Sequence, residues 1–162
     1  DGDMSFSGDD LDTLVQGVSG IAFGLAVKRL SDKAPPAYLP LSGDPGDHKP
    51  LLKALEQNPA PSIPVKGAGM AFSLIRRSVF DSVARDSPVH PGLKEWFWTE
   101  HVIDEDSHRE QHLSEDYNFC RRAREVGFDV RLFPSVVLGH IDQIPVTIKE
   151  WLKVSGIKFD SV

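Results

Sequence analysis

The sequence predicts an α/β fold in one domain that covers residues 1–162. Short apolar segments alternate along the chain with segments whose apolar residues recur at helical spacing, which is typical of helices packed on a sheet. A length of 162 residues allows a single hydrophobic core. The hydrophobic share of 40% and the charged share of 26% are those of an ordinary globular domain.

Charge and cysteine content narrow the classes of protein further. The formal net charge of −6 argues against a nucleic-acid partner, because such proteins carry a basic patch. Cys120 is the single cysteine, so an internal disulfide is excluded and a reducing compartment is favoured. No apolar run approaches the roughly 20 residues of a membrane span. We therefore expect a cytoplasmic protein with no transmembrane segment.

The first elements are a helix and a strand. Leucines and valines at helical spacing predict a helix over residues 8–18, with Ser7 or Asp9 as its N-cap. The short apolar run over residues 20–30 predicts a strand that is buried on both faces.

The middle of the chain is less regular. Proline, glycine and aspartate dominate residues 31–50, which predicts a long loop, and residues 51–58 predict one or two helical turns. An apolar run over residues 70–75 predicts a strand, followed by a helix capped by Ser78. Residues 88–113 carry no clear period and predict a loop or short helices.

The last third has the clearest helix of the chain. Ser114 is its predicted N-cap, acids occupy its first turn, arginines follow, and Gly127 ends it. Residues 128–141 predict a strand, or a bent pair of strands interrupted by Pro134. Residues 146–156 predict a final amphipathic helix.

Three sets of polar residues are candidates for a catalytic or metal site. Asp1 and Asp3, one residue apart, can share a hard cation such as Mg²⁺ or Mn²⁺, although Asp and Gly are also ordinary turn residues. Glu115 and Asp116 suit a helix start in any protein, and either can act as a general base. His140 follows a predicted strand and is either a metal ligand or an ordinary histidine.

Two further segments have open interpretations. The small residues Gly67, Ala68 and Gly69 leave room for a ligand against the backbone, or simply begin a strand. They lack the spacing of a phosphate-binding loop.

The second of these two segments is the aromatic and histidine-rich stretch that precedes the last clear helix. Trp96 and Trp98 suit either sugar stacking or the core. His108 and His112 lie four residues apart, as helical zinc ligands would, but no other zinc motif accompanies them.

The order of these segments resembles the C-terminal portion of glycosyltransferases with the GT-A fold, most of all the large family-two group. The similarity is carried by "DGDM", a strand ending in "VKR", "GAGMAFSLIRRSVFDSV" and "LSEDYNFCRRAREVGFDVRLFPSVVLGHI". It covers nearly the whole chain, and its most specific part is residues 113–141.

The resemblance implies a role for each candidate set. Asp1 and Asp3 match the DxD motif that holds Mn²⁺ or Mg²⁺ on the diphosphate of a nucleotide-sugar donor, and His140 matches a late histidine of the same metal site. Asp116, or less favoured Glu115, matches the base that deprotonates a carbohydrate or other hydroxyl acceptor in inverting members.

The small-residue segment also has a counterpart in the family. Gly67, Ala68 and Gly69 match a segment that lines the sugar pocket. The implied fold is a partial GT-A domain, a Rossmann-like mixed sheet flanked by helices.

The sequence departs from the family at its start. Because it begins at the DxD motif, we expect that the N-terminal nucleotide-binding half is missing, either removed from a longer chain or absent from a naturally reduced protein. We also expect weak or no transferase activity and an exposed sheet edge. Two alternatives stay open. One is a phosphatase similar to the haloacid dehalogenases, which also open with an Asp-x-Asp. The other is a non-catalytic carbohydrate-binding remnant of a transferase.

Overall fold

The computed structural model describes residues 4–26, 38–41, 47–103 and 110–140. For Met4, Gly139 and His140 it describes the backbone only. Asp1, Asp3 and the predicted helix over residues 146–156 lie outside the described residues, so their predictions stay predictions.

The described ranges contain four helices and eleven short strands. The helices are α1 (Gly8–Gly17), α2 (Lys49–Leu55), α3 (Arg77–Val83) and α4 (Glu115–Glu125). The strands are β1 (Met4–Ser5), β2 (Ile21–Leu25), β3 (Tyr38–Pro40), β4 (Ile63–Ala68), β5 (Ser73–Ile75), β6 (Arg85–Asp86), β7 (Lys94–Glu95), β8 (Glu100–Ile103), β9 (Glu110–Leu113), β10 (Val130–Val137) and β11 (Gly139–His140).

A five-stranded mixed sheet organises the fold, in the order β3-β4-β10-β2-β5. Strand β10 runs parallel to β2, whereas β5 is antiparallel to β2 and β3 is antiparallel to β4. Three two-stranded pairs accompany the sheet, namely β1 with β11, β6 with β7, and β8 with β9. The predicted α/β class is therefore confirmed as a mixed sheet with helices.

Buried side chains form two hydrophobic cores, and alternate residues of β2 contribute to each. Phe23 belongs to the larger core and Ala22 to the smaller one. The larger core takes fully buried side chains from three helices, α2, α3 and α4: Leu51, Val79 and Phe119. The smaller core takes Leu14 from α1. Because β2 is buried along its whole length, its sequence is a continuous apolar run rather than an alternating one.

The two longest helices follow their sequence signals. Ser7 caps α1, since its Oγ accepts a hydrogen bond from the Asp10 N–H at 3.2 Å and its own N–H donates to Asp10 Oδ2 at 2.7 Å. Helix α4 begins after Ser114 as predicted. It stops before Gly127, whose φ of 90° is a conformation that favours glycine.

Two predictions of secondary structure around residues 70–83 were wrong in part. Of the strand predicted over residues 70–75, only the second half forms a strand, β5 (Ser73–Ile75), because the chain first crosses from β4 over β10 and β2 to the edge of the sheet. The next helix begins at Arg77, one residue before the predicted cap Ser78, and Arg76 is its N-cap.

Two segments predicted as irregular also contain strands. The predicted loop over residues 31–50 includes β3, which pairs with β4. Residues 88–113 contribute β7, β8 and β9, which form hairpins rather than loops or short helices. Their strands are too short for alternation to stand out in the sequence.

Candidate functional site

The first turn of α4 separates the two candidate bases. Asp116 is half-buried, and its Oδ2 accepts a hydrogen bond from the backbone N–H of Met70 at 3.1 Å. Glu115 is exposed. Adjacent helical residues point about 100° apart, so only one of the two can face the chain that follows β4. That residue is Asp116, which the family resemblance favours as the base, and its role stays a prediction.

The surroundings of Asp116 change its affinity for protons. Burial raises the pKa of its carboxyl group, and the negative charge of Glu115 acts in the same direction. The hydrogen bond from Met70 opposes them, because an N–H donor stabilises the carboxylate. The net result is a carboxylate that takes up a proton more readily than an exposed aspartate does.

The segment of small residues lies directly against α4. A Cβ atom at Gly67 would lie 2.9 Å from Tyr117 Cδ1 and 3.1 Å from Cys120 Cβ, closer than packing allows. At Gly69 the nearest atom to such a Cβ is Asp116 Oδ2, at 4.0 Å. Glycine at position 67 therefore lets β4 pack closely on the helix that carries Asp116.

Ala68 completes this segment as a buried strand residue. It is 2% exposed and pairs with Tyr38 of β3. Behind it, burial raises the pKa of the Cys120 thiol to about 12, and burial also raises the pKa of the Tyr117 hydroxyl. Both groups are therefore neutral at physiological pH, so neither adds a charge near Asp116.

Of the metal candidates, His140 is described through its backbone, in the pair formed by β1 and β11. Met4 pairs with His140 and Ser5 with Gly139 in an antiparallel ladder. Asp3 is the residue before Met4 in the sequence. Asp1 and Asp3 lie outside the described residues, and so does the side chain of His140.

A four-residue segment, residues 69–72, joins these two regions; we call it the bridging segment. Met70 donates to Asp116, and two residues later the ring of Phe72 packs on Phe6 with centroids 4.4 Å apart. Phe6 directly follows β1 in the chain. Two residues span at most about 7 Å, so the segment is short enough to hold the α4 start close to the β1–β11 pair. These contacts could not be predicted from local sequence patterns, because the partners lie 46 and 66 positions apart.

The aromatic segment after β7 contacts β6, α3 and α4. The guanidinium groups of Arg85 and Arg122 lie 3.5 Å and 3.4 Å from the ring centroid of Trp98. Trp96 donates from Nε1 to the carbonyl of Phe80 at 3.0 Å, and its side chain remains 38% exposed. Trp98 therefore serves packing through cation–π contacts, whereas Trp96 keeps an accessible surface.

A helical pair of zinc ligands, His108 and His112, was one interpretation of the sequence. His112 lies on strand β9, and His108 lies outside the described residues. Within the described ranges no group of three or more His, Cys, Asp or Glu side chains is arranged to hold a metal ion.

Comparison with known proteins gives no relative. No family model, curated protein or solved structure matches the chain. None of the helices in the described ranges is long and apolar enough to cross a bilayer.

Proposed function

We propose that the chain carries the acceptor and metal half of a GT-A glycosyltransferase that moves a sugar from a nucleotide-sugar donor to a hydroxyl acceptor with inversion. Asp116 is the base, and Asp1, Asp3 and His140 bind the divalent metal. The bridging segment carries the proposal, because it contacts Asp116 at one end and the residue after β1 at the other.

The donor set of the proposed metal site fits its chemistry. Two carboxylates and one imidazole suit Mn²⁺, and the carboxylates alone suit Mg²⁺. The backbone pairing of Met4 with His140 supports the set, because chain connectivity keeps Asp3 one residue away from this pair. A divalent ion there supplies positive charge for a departing diphosphate.

The reaction needs a base beside the acceptor, since an alcohol has a high pKa. The acceptor hydroxyl gives its proton to the Asp116 carboxylate, and its oxygen bonds to the anomeric carbon of the sugar. The bond from that carbon to the diphosphate oxygen breaks, and the nucleoside diphosphate leaves. The raised pKa of Asp116 supports the first step, because a carboxylate that binds protons more readily is the better general base.

Release of nucleoside diphosphate tests this function. The chain is incubated with Mn²⁺ and either UDP-glucose or GDP-mannose, and the diphosphate is measured over hours, so that transfer to any hydroxyl counts, water included. Asp116→Asn is expected to lower the rate by roughly 100-fold or more, the usual contribution of a general base. Asp81→Asn, on the exposed face of α3, is the matched control and keeps the wild-type rate.

Three outcomes would count against the transferase. One is a rate that Asp116→Asn leaves unchanged. Another is hydrolysis of p-nitrophenyl phosphate that is abolished by Asp1→Asn, which would favour the phosphatase instead. Sugar binding that needs neither metal nor Asp116 would favour the alternative of a non-catalytic carbohydrate-binding remnant.

A further inference from the structure

The hairpin of β8 and β9 carries two histidines at directly opposite positions. His101 pairs with His112 in the antiparallel register. Their ring centroids are 4.8 Å apart. Both side chains are on the exposed face of the hairpin, since burial alternates along each strand and both positions are exposed. Two imidazoles are thus held side by side in solvent by the backbone.

A carboxylate orients one of these rings. Glu110 is two residues before His112 on the same face, and its Oε1 lies 3.1 Å from His101 Nδ1. When Nδ1 carries the proton and donates to Glu110, the lone pair of Nε2 is left free. This is the arrangement in which a metal-bound histidine is held by an outer carboxylate in metalloproteins.

We propose that His101 and His112 form a two-imidazole site for a borderline transition-metal ion, Zn²⁺ or Ni²⁺, with Glu110 as the outer partner of His101. Tetrahedral ligation with Zn–N bonds of about 2.1 Å places two ring centres roughly 5 Å apart. The observed separation is 4.8 Å, so small side-chain rotations bring both rings onto one ion. Within the described part of the chain, these two imidazoles are the protein ligands that the geometry offers to such an ion.

The two proposed metal sites differ in the metal ions that their ligands prefer. Imidazole favours zinc and nickel, whereas carboxylate-rich sites favour magnesium and manganese. The hairpin site therefore does not rest on the proposed transferase function, and excess Mg²⁺ can occupy the oxygen-rich site during a test.

The hairpin directly precedes α4, so an ion bound to it would stabilise the structure next to that helix. Strand β9 ends at Leu113 and α4 begins at Glu115. On the other face of the hairpin, Arg121 of α4 bonds Glu100 of β8 at 2.7 Å. An ion that joins the two strands stabilises the folded hairpin, because it binds the native arrangement and not the unfolded chain.

Calorimetric titration with ZnCl₂ in a non-chelating buffer with excess Mg²⁺ tests the site. Wild type is expected to bind one Zn²⁺ per chain. His101→Ala and His112→Ala are each expected to weaken binding about tenfold or more, since each leaves a single ligand. His90→Ala, an exposed histidine of another segment, keeps wild-type affinity. Glu110→Gln weakens binding about tenfold through the outer partner.

Several results would overturn the inference. Absence of binding, or equal affinity in wild type and both histidine variants, removes the site. A loss in only one of the two variants leaves a single ligand and rejects the chelate. Equal affinity in Glu110→Gln rejects the role of that carboxylate. Circular dichroism of each variant checks that the fold is retained, as expected for exposed positions.

Discussion

At the residue scale, the proposed activity requires the carboxylate of Asp116, whereas stability at neutral pH favours an uncharged side chain at this position. Its pKa is raised in the folded state, so the folded protein binds the proton more tightly than the unfolded chain does. The stability from this effect is fully present at acid pH, below the pKa of an unfolded carboxyl, and is lost as pH rises through the folded value.

Replacing this aspartate is therefore expected to stabilise the fold at neutral pH. Asp116→Asn removes the half-buried charge and keeps an oxygen that can accept from Met70. Its melting temperature is expected to exceed that of wild type at pH 7, and the difference is expected to shrink as the pH is lowered towards 3. Thermal melts at both pH values, with Asp81→Asn as the control, check this. A variant less stable at pH 7 would contradict it.

At the residue scale, the residue types of the candidate site could be predicted from the sequence, but their exposure and pairing could not. The two acids at the start of α4 were visible, and so was their suitability as bases. Their division into a half-buried Asp116 and an exposed Glu115 depends on Met70, 46 positions earlier in the chain. The opposite placement of His101 and His112 was also hidden, because it depends on the register of a hairpin.

At the element scale, the caps of α1 and α4 provide a matched comparison. Ser7 caps α1 with a side-chain hydrogen bond, whereas Ser114 begins α4 without one. Ser7→Ala is expected to lower the free energy of unfolding by about 1 kcal/mol, the usual value of such a cap. Ser114→Ala is expected to lower it by less. Denaturant unfolding of both variants measures the difference, and equal losses would contradict the capping geometry.

The contact between β4 and α4 is the second prediction at this scale. Gly67→Ala places a methyl group within 2.9 Å of the Tyr117 ring, and the overpacking is expected to cost about 1–3 kcal/mol of unfolding free energy. Gly69→Ala is the control, because its methyl group meets nothing closer than 4.0 Å. Denaturant unfolding compares the two. Equal stability of the two variants would show that β4 and α4 are not in close contact.

Elements with strong local signals were predicted well. Helices α1 and α4 combine apolar periodicity or acid-to-base order with a cap, and β2 is a continuous apolar run. The short strands β3 and β7, with three and two residues, have no such signal. They exist because neighbouring strands offer backbone partners, which a local pattern does not record.

At the scale of the whole molecule, a layered fold of helices on a sheet was predictable from the alternation of elements, and the mixed sheet was implied by the family resemblance. The order of the strands was not, since it depends on long-range pairing such as β2 with β10. The central claim at this scale is that distant segments meet in one site. Residues near the start of the chain, Met70 and Phe72 in its middle, and His140 near its end are connected through the bridging segment and the β1–β11 pair.

Binding of Mn²⁺, followed by the loss of the free-ion electron paramagnetic resonance signal, tests this claim most directly. Wild type, Asp3→Ala and His140→Ala are compared, with Asp81→Ala as an exposed-acid control. The account predicts one bound ion in wild type and in the control, and clearly weaker binding in both site variants. Binding that neither substitution changes would contradict a shared metal site, and with it the proposed meeting of the two ends of the described chain.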